Sequence, residues 1–294
     1  MIEMYSIIVN PLSGGGTASR CIPEIKALLN RRGIEYRIDK SERYGDTKRL
    51  ASRAVKEGLD GIIAVGGDGT FFEIANGIGE SGIEVIFAPC GTGNDFIRYF
   101  DLPKDTVEAV SIQLDSPSRR IDMGKCNDTY FLNVAGSGFD VNVLIEAERF
   151  KSRYNGFMAY FMGAMLAIRK LRTLKGTVSI DSGPDEDITC SIISIGNGRY
   201  IGGGMLAVPS SHVDDGYFDA VICRPVSRWS VAVLLIFFIK GKHAGRKWLS
   251  RTIRCKSLRI KSSGMLVEAD GEVFPCEDAS FRIIPGALNT RLPL

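Results

Sequence analysis

Histidine is nearly absent: the chain has only His212 and His243, and neither sits in a nucleophile or metal-ligand pattern. Both are read as structural or surface groups, so any general base is expected among the carboxylates. The seven cysteines (Cys21, Cys90, Cys126, Cys190, Cys223, Cys255, Cys276) are scattered, odd in number and without a C-x-x-C pair. That argues against a disulfide framework or a zinc site, and for reduced thiols. Long hydrophobic runs are also missing. The two most apolar stretches, Phe157–Ile168 and Trp229–Ile239, fall well short of the roughly 20 residues a membrane-spanning helix requires. They are read as buried or interface-lying helices. Met1-Ile2-Glu3-Met4 carries no basic segment followed by an apolar stretch and a cleavage site, so no signal peptide is expected. No internal repeat or low-complexity linker is evident, and no Lys-Ser or Lys-Thr follows the glycine clusters, which excludes a Walker A loop.

One sign of charge is missing locally. Between Asp219 and Glu268 there is no acidic residue, whereas Arg224 to Lys261 supply eleven lysines and arginines. The net charge of +3 is too mild to argue for nucleic acid, but the one-sided block suggests an anionic partner such as a membrane surface. With 294 residues the chain is long enough for one large or two modest domains, and its 45% hydrophobic and 24% charged content is ordinary for a soluble globular protein. The expected compartment is the cytoplasm, with peripheral contact to a membrane.

What is present is a repeated strand–glycine–helix pattern. Tyr5–Val9, Ile34–Ile38, Ile62–Val65 and Ile83–Ala88 read as buried strands, alternating with helical patterns that stop at Gly33 and Gly58. This predicts a parallel sheet covered on both faces, whose ligands bind beyond the carboxyl ends of the strands. Three such ends carry glycine turns. Gly66-Gly67-Asp68-Gly69-Thr70 leads into Phe71-Phe72; its backbone N–H groups suit a phosphate, and Asp68 beside phosphates makes sense if a divalent cation bridges the two. Asn10-Pro11-Leu12-Ser13-Gly14 and Pro89-Cys90-Gly91-Thr92-Gly93-Asn94-Asp95 end two further strands in the same way, with Asp95 expected to begin a short helix.

After Pro117 the character changes. Arg119–Cys126 and Thr129–Ala135 flank Asn127-Asp128 as a hairpin, and Thr177–Ile180, Ile188–Ile195, Tyr217–Cys223, Thr252–Ile260 and Leu266–Ala269 read as strands. Two helices are expected between Val141 and Leu174 and one between Ser227 and Ile239. The predicted architecture is therefore α/β: an N-terminal parallel α/β nucleotide-binding domain over residues 1–120 and a C-terminal, β-rich antiparallel domain over residues 121–294. A return of the last residues to the first domain is allowed for. In the second domain Asp270-Gly271-Glu272 interrupts a strand pattern, either as an acidic hairpin turn or as the source of a general base. Asp215, in His212 to Asp219, is either a cation ligand or part of an Asp-Gly turn. Gly196 to Gly204 exposes backbone without revealing a role.

Together these blocks resemble the diacylglycerol kinase catalytic family, which also includes sphingosine and ceramide kinases. The resemblance rests on Asn10 to Gly14, Gly66 to Thr70 with Asn76-Gly77, Pro89 to Asp95, Phe131-Leu132-Asn133 with Gly136 to Asp140, Gly196 to Gly204, Asp215-Gly216 and Asp270-Gly271-Glu272. It implies an ATP-binding domain, a β-rich lipid-binding domain and an active site in the cleft between them. It implies ATP on Asn10, Pro11, Leu12, Ser13, Gly14, Ser41, Gly66, Gly67, Asp68, Gly69, Thr70, Phe71, Phe72 and Thr92, with Ser41 standing where the family usually has threonine. It further implies a catalytic Mg²⁺ organised by Asp68 with help from Asp95, and Glu272 as proton acceptor. A structural Mg²⁺ is implied on Asp215 with the backbone oxygens of His212 and Tyr217.

The family often has a lysine soon after the first Ser-Gly; here Gly15-Gly16-Thr17 intervenes and Arg20 is the first basic residue. The implied activity is Mg²⁺-dependent transfer of the γ-phosphate of ATP to a lipid alcohol, diacylglycerol giving phosphatidic acid. A homodimer is left open. The alternatives are a soluble kinase of the NAD kinase type, which shares the Gly-Gly-Asp-Gly turn but has an Asn-Glu pair where Asn197 is followed by Gly198, and a non-catalytic lipid-binding protein of the same fold. Phosphofructokinases share the turn as well, but their acidic catalytic segment is not present.

Overall fold

A computed structural model describes residues 3–150, 154, 156–228 and 230–293. The chain forms two units, Met1–Asp122 with Gly286–Leu294, and Met123–Pro285.

In the first unit strands and helices alternate: β1 (Met4–Val9), α1 (Ser13–Arg31), β2 (Glu35–Lys40), α2 (Asp46–Lys56), β3 (Gly61–Gly66), α3 (Asp68–Ile78), β4 (Glu84–Pro89), a 3₁₀ turn (Ile97–Phe100) and α4 (Thr106–Asp115). The parallel strands are ordered β2-β1-β3-β4. β3 and β4 are buried at every residue, as a sheet covered on both faces requires. Ile25, Leu28 and Leu29 of α1 and Val110 and Leu114 of α4 share one apolar cluster with Ile7, Ile63 and Ile86. Phe87 of β4 lies edge-on to Phe71 at 4.9 Å and to Phe96 at 5.5 Å, linking the strand to the segment after each of two glycine turns. Burying one such ring contributes about 2–3 kcal/mol. Gly77 has no room for a side chain, because a Cβ there would lie 2.4 Å from the Lys48 carbonyl of α2.

Helix α4 has no counterpart among the elements expected from the sequence. Its N-terminus is marked by Asp105, whose carboxylate accepts the Glu108 N–H at 2.8 Å.

The chain enters the second unit along β5 (Arg119–Cys126). There follow β6 (Thr129–Phe131), β7 (Val134–Gly138), α5 (Phe139–Glu148), α6 (Gly156–Ala167), β8 (Leu174–Ile180), β9 (Glu186–Cys190), β10 (Ile192–Gly196), β11 (Tyr200–Ile201), β12 (Met205–Leu206), β13 (Phe218–Cys223), α7 (Val231–Ile239), β14 (Ser250–Cys255), β15 (Ser257–Lys261), β16 (Leu266–Ala269), β17 (Glu272–Pro275) and β18 (Asp278–Thr290). One antiparallel sheet runs β14-β13-β10-β7-β16-β17. A second set pairs the first part of β18 with β15, then β8 and β9. β18 alternates exposed and buried residues along its first part and ends in the first unit, where Asn289 and Thr290 pair in parallel with Glu84 and Val85 of β4.

Three expected strands are each two. Ile188–Ile195 divides at Ser191, whose hydroxyl accepts the Val226 N–H at 3.0 Å. Thr252–Ile260 divides at Lys256: Lys256 and Ser257 both donate N–H groups to the Asp181 carboxylate, at 2.7 and 2.8 Å. Thr129–Ala135 divides at Leu132-Asn133, drawn aside by Asp270. Ile188–Ile195 has no charged residue or turn signal at its break, so the sequence pattern runs on while the backbone partners change. Trp229 lies outside the described residues. Among the described residues no helix is long and apolar enough to cross a membrane.

Candidate active site

The site in the first unit is built from the carboxyl ends of three adjacent strands. Register carries Val9 beside Val65 and Gly66 beside Pro89, so the three glycine turns leave the sheet at one level. They pack against one another through backbone. A Cβ on Gly14 would lie 1.8 Å from the Cys90 carbonyl oxygen, and a Cβ on Gly67 2.8 Å from the Gly91 Cα. Any side chain at either position would push the turns apart. Gly14, Gly15 and Gly16 all have positive φ, which turns the N–H groups at the head of α1 away from helical geometry.

The first turn is held from within: Asn10 donates its N–H to Val65 O at 3.1 Å, and its side chain accepts the Leu12 N–H at 3.2 Å. Leu12 itself is 82% exposed. Ser41 is buried beside it, its N–H donating to Val9 O at 2.9 Å. In the second turn the Thr70 hydroxyl is buried and has no hydrogen-bond partner among the described residues, so it suits a phosphate oxygen. Phe71 and Phe72 are core side chains, so this segment offers a nucleotide backbone only. The third turn is closed by Asn94, whose side chain both accepts from Gly91 N–H and donates to Gly91 O at 3.0 Å, leaving Thr92 exposed.

Asp68 and Asp95 meet at Gly93, where a Cβ would lie 3.0 Å from an Asp68 oxygen and 3.6 Å from an Asp95 oxygen. Asp68 accepts the Phe96 N–H at 3.2 Å. Burial pushes its carboxyl above the ordinary range, against the backbone N–H donors that favour the anion. A desolvated carboxylate with a second one at the same turn fits a divalent cation, which would offset both charges. Asp95 precedes the 3₁₀ turn rather than opening a helix, and Arg98 reaches back to Gly93 O at 3.1 Å.

Arg20 folds onto the first turn, donating to Thr17 Oγ1 at 2.9 Å. The chain thus supplies a cation at the glycine loop from one helical turn further along.

In the second unit Asp270 is the organiser. Its carboxylate accepts N–H groups from Leu132 at 2.6 Å, Asn133 at 2.8 Å and Val134 at 3.2 Å. Asp270 and Gly271 have φ of 49° and 90°, so the β16–β17 hairpin turns through left-handed backbone and Glu272 opens β17. Glu268 accepts the Gly271 N–H at 3.0 Å from the other side. Its own carboxyl is held well above the usual range by burial, then by the charges of Asp140 and Asp270.

The glycine-rich segment after β10 also acquires a place: Asn197 and Gly198 donate N–H groups to Asn133 O at 2.9 and 2.7 Å, and Asn133 reaches Tyr200 O at 2.5 Å. Sequence reasoning missed Asn94, Asn133 and the anchoring role of Asp270. All three stand inside motifs that carry the resemblance, and for Asn94 and Asp270 a neighbouring glycine marks the turn.

The Asp215 neighbourhood differs from expectation. One of its oxygens accepts the Tyr217 N–H at 3.0 Å, and the other pairs with Arg254 at 2.9 Å. His212 Nδ1 lies 3.3 Å from Arg199. Among the described residues no cluster of three or more His, Cys, Asp or Glu side chains is arranged to hold a metal. The implied ligands are one carboxylate and two backbone oxygens, and both Asp215 oxygens already have partners, so the loop with Arg254 in place does not fit the implied metal.

Residues 4–126 match the diacylglycerol kinase catalytic domain, and residues 133–291 match the YegS C-terminal NAD kinase beta sandwich-like domain. A diacylglycerol kinase of Mycobacterium tuberculosis is 30% identical over 99% of this chain and 96% of its own length. One from Staphylococcus haemolyticus is 31% identical over 92% of this chain and 83% of its own. A putative diacylglycerol kinase structure from Bacillus anthracis shares the fold, with a TM-score of 0.80 at 23% identity, covering 98% of this chain and 96% of that one. An NAD kinase from Archaeoglobus fulgidus, in complex with ATP, shares it more distantly, with a TM-score of 0.54 at 13% identity over 97% and 92% of the two chains. Both domains and relatives matched end to end identify the chain as a member of the diacylglycerol kinase family.

Proposed function

We propose that the chain is an ATP- and Mg²⁺-dependent lipid kinase that phosphorylates the hydroxyl of a lipid alcohol, diacylglycerol giving phosphatidic acid. The observation that carries this is the backbone packing of three glycine turns around a desolvated carboxylate. Exposed N–H groups and the Thr70 hydroxyl take the phosphate oxygens, Arg20 neutralises the terminal phosphates, and Asp68 with Asp95 would hold the metal. Bound there, Mg²⁺ supplies charge neutralisation on the transferred phosphoryl group. Glu272 takes the proton from the lipid hydroxyl as that oxygen forms its bond to the γ-phosphorus; the bond from phosphorus to the bridging β–γ oxygen breaks, and ADP leaves.

The substrate resides in a bilayer, so the protein meets it by peripheral contact with an anionic membrane. Large apolar side chains exposed in the second unit support this: Met158, Phe161 and Met165 of α6, with Ile236 and Trp248 near the basic block.

The test is ADP release with diacylglycerol vesicles against release with NAD. Turnover with lipid alone is expected; turnover with NAD alone would assign the chain to the other branch of the fold. Sedimentation with anionic and neutral vesicles at two salt levels tests the membrane contact separately, with binding expected for the anionic ones and release by salt.

A further inference from the structure

Family resemblance implies a divalent cation on Asp215, with carbonyl oxygens of the same loop. We propose instead that Arg254 fills that cation's place, so that the fold of the second unit is independent of Mg²⁺. Asp215 lies in the loop between β12 and β13, and Arg254 projects from β14, the edge strand paired to β13 with Arg254 opposite Asp219. The guanidinium contacts the carboxylate at 2.9 Å, and the other carboxylate oxygen already takes the Tyr217 N–H.

The Tyr217 ring adds a second hold on the same cation. Arg254 lies over it at 4.5 Å from the centroid, and the Lys256 ammonium is 5.2 Å away. Arg254 therefore joins loop to strand through one ion pair and one ring contact, the task a structural divalent ion performs with oxygen ligands.

A metal has little to gain here. Mg²⁺ asks for near-octahedral oxygen coordination, while Asp215 is the one carboxylate in the expected ligand set and one of its oxygens is occupied. A dication would have to displace Arg254 from the Asp215 carboxylate while Arg254 and Lys256 stay over the Tyr217 ring, two like charges held beside the same loop. An isolated exposed ion pair is weak, and this one is half exposed on the arginine side. The repulsion from two resident cations, more than the strength of the pair, keeps the metal out.

The inference is independent of the lipid-kinase reading and is tested on the full chain without nucleotide or lipid. Thermal unfolding is followed from chelator to about ten millimolar MgCl₂ at constant ionic strength, for wild type, Asp215→Asn, Arg254→Gln and the double variant. Any Mg²⁺ response arising at Asp68 is common to all four and cancels in the comparison. Wild type and Asp215→Asn are expected to respond identically. Arg254→Gln is expected to melt lower in chelator and to recover part of that loss with Mg²⁺, whereas the double variant recovers none. A wild-type response that Asp215→Asn removes would overturn the proposal. So would an Arg254→Gln protein as indifferent to Mg²⁺ as the double variant, because the guanidinium would then not be standing in a cation site.

Discussion

The two units build their candidate residues in opposite ways. In the first, the site is mostly backbone: glycine turns at the ends of β1, β3 and β4 press directly on one another, and Asp68 is the charged group they frame. In the second, a side chain does the framing, since the Asp270 carboxylate gathers three N–H groups and thereby sets the turn that presents Glu272. Backbone sites tolerate no added side chain but survive loss of a charge. Side-chain sites fail when the organising carboxylate is removed. Substitutions in each unit can break that contrast.

The largest effect is expected from Asp68→Asn. The turn keeps its glycines and its shape, and only the charge that would hold the metal is lost. Phosphoryl transfer should fall to background while the melting temperature stays level or rises, because the desolvated charge is removed. Near-normal turnover at saturating Mg²⁺ would sink the role given to Asp68. Glu272→Gln should follow, lowering kcat by roughly 10²–10⁴-fold with ATP affinity nearly unchanged, since a base acts in the transition state. A change confined to KM would make Glu272 a binding residue.

The same contrast explains what could be read from the sequence. The parallel sheet and its three turns were legible because glycine and apolar β-branched runs leave local signatures: Ile62 to Val65 can be little else than a buried strand before Gly66-Gly67. The second unit was legible as antiparallel β but not in its joints. Nothing local in Ile188–Ile195 announces that Ser191 changes sheets, because the Val226 N–H that marks the break comes from 35 residues away. Asp270 was readable as a neighbour of Glu272, yet its partners Leu132 to Val134 lie more than 130 residues back in the chain. Arg254 stood out only as one of eleven basic residues; its pairing with Asp215 depends on the register of β13 and β14.

Asp270→Ala tests the side-chain half of the contrast more directly than Glu272→Gln. It orphans N–H groups of Leu132, Asn133 and Val134, which should cost about 2–3 kcal/mol. Glu272, set free of its turn, should lose kcat as well. Asp270→Asn keeps one carbonyl acceptor and should fall between wild type and alanine in both readouts. Equal stability for wild type and alanine would mean that the turn holds itself through Gly271 and Glu268 alone.

The smallest effect separates a carboxylate that organises from one that is merely buried. Asp140, at the head of α5, has its carboxyl pushed up to about 7 by burial, and its charge raises the buried Glu268 in turn. The Cys190 and Cys223 thiols near it are pushed up to about 12 and stay neutral over the working range. Between the ordinary Asp value of 3.8 and about 7, the folded protein keeps the Asp140 proton while the unfolded chain has lost it. Stability therefore falls as pH rises through that window, and the penalty is complete above it. Asp140→Asn carries no charge at any pH and also relieves Glu268. Its melting temperature should exceed that of wild type by a few degrees at pH 8, by less at pH 6, and by almost nothing near pH 4. Asp270 should show no such gain, because its loss removes three hydrogen bonds from backbone N–H groups. A pH-independent difference for Asp140→Asn would mean that this carboxyl folds already ionised.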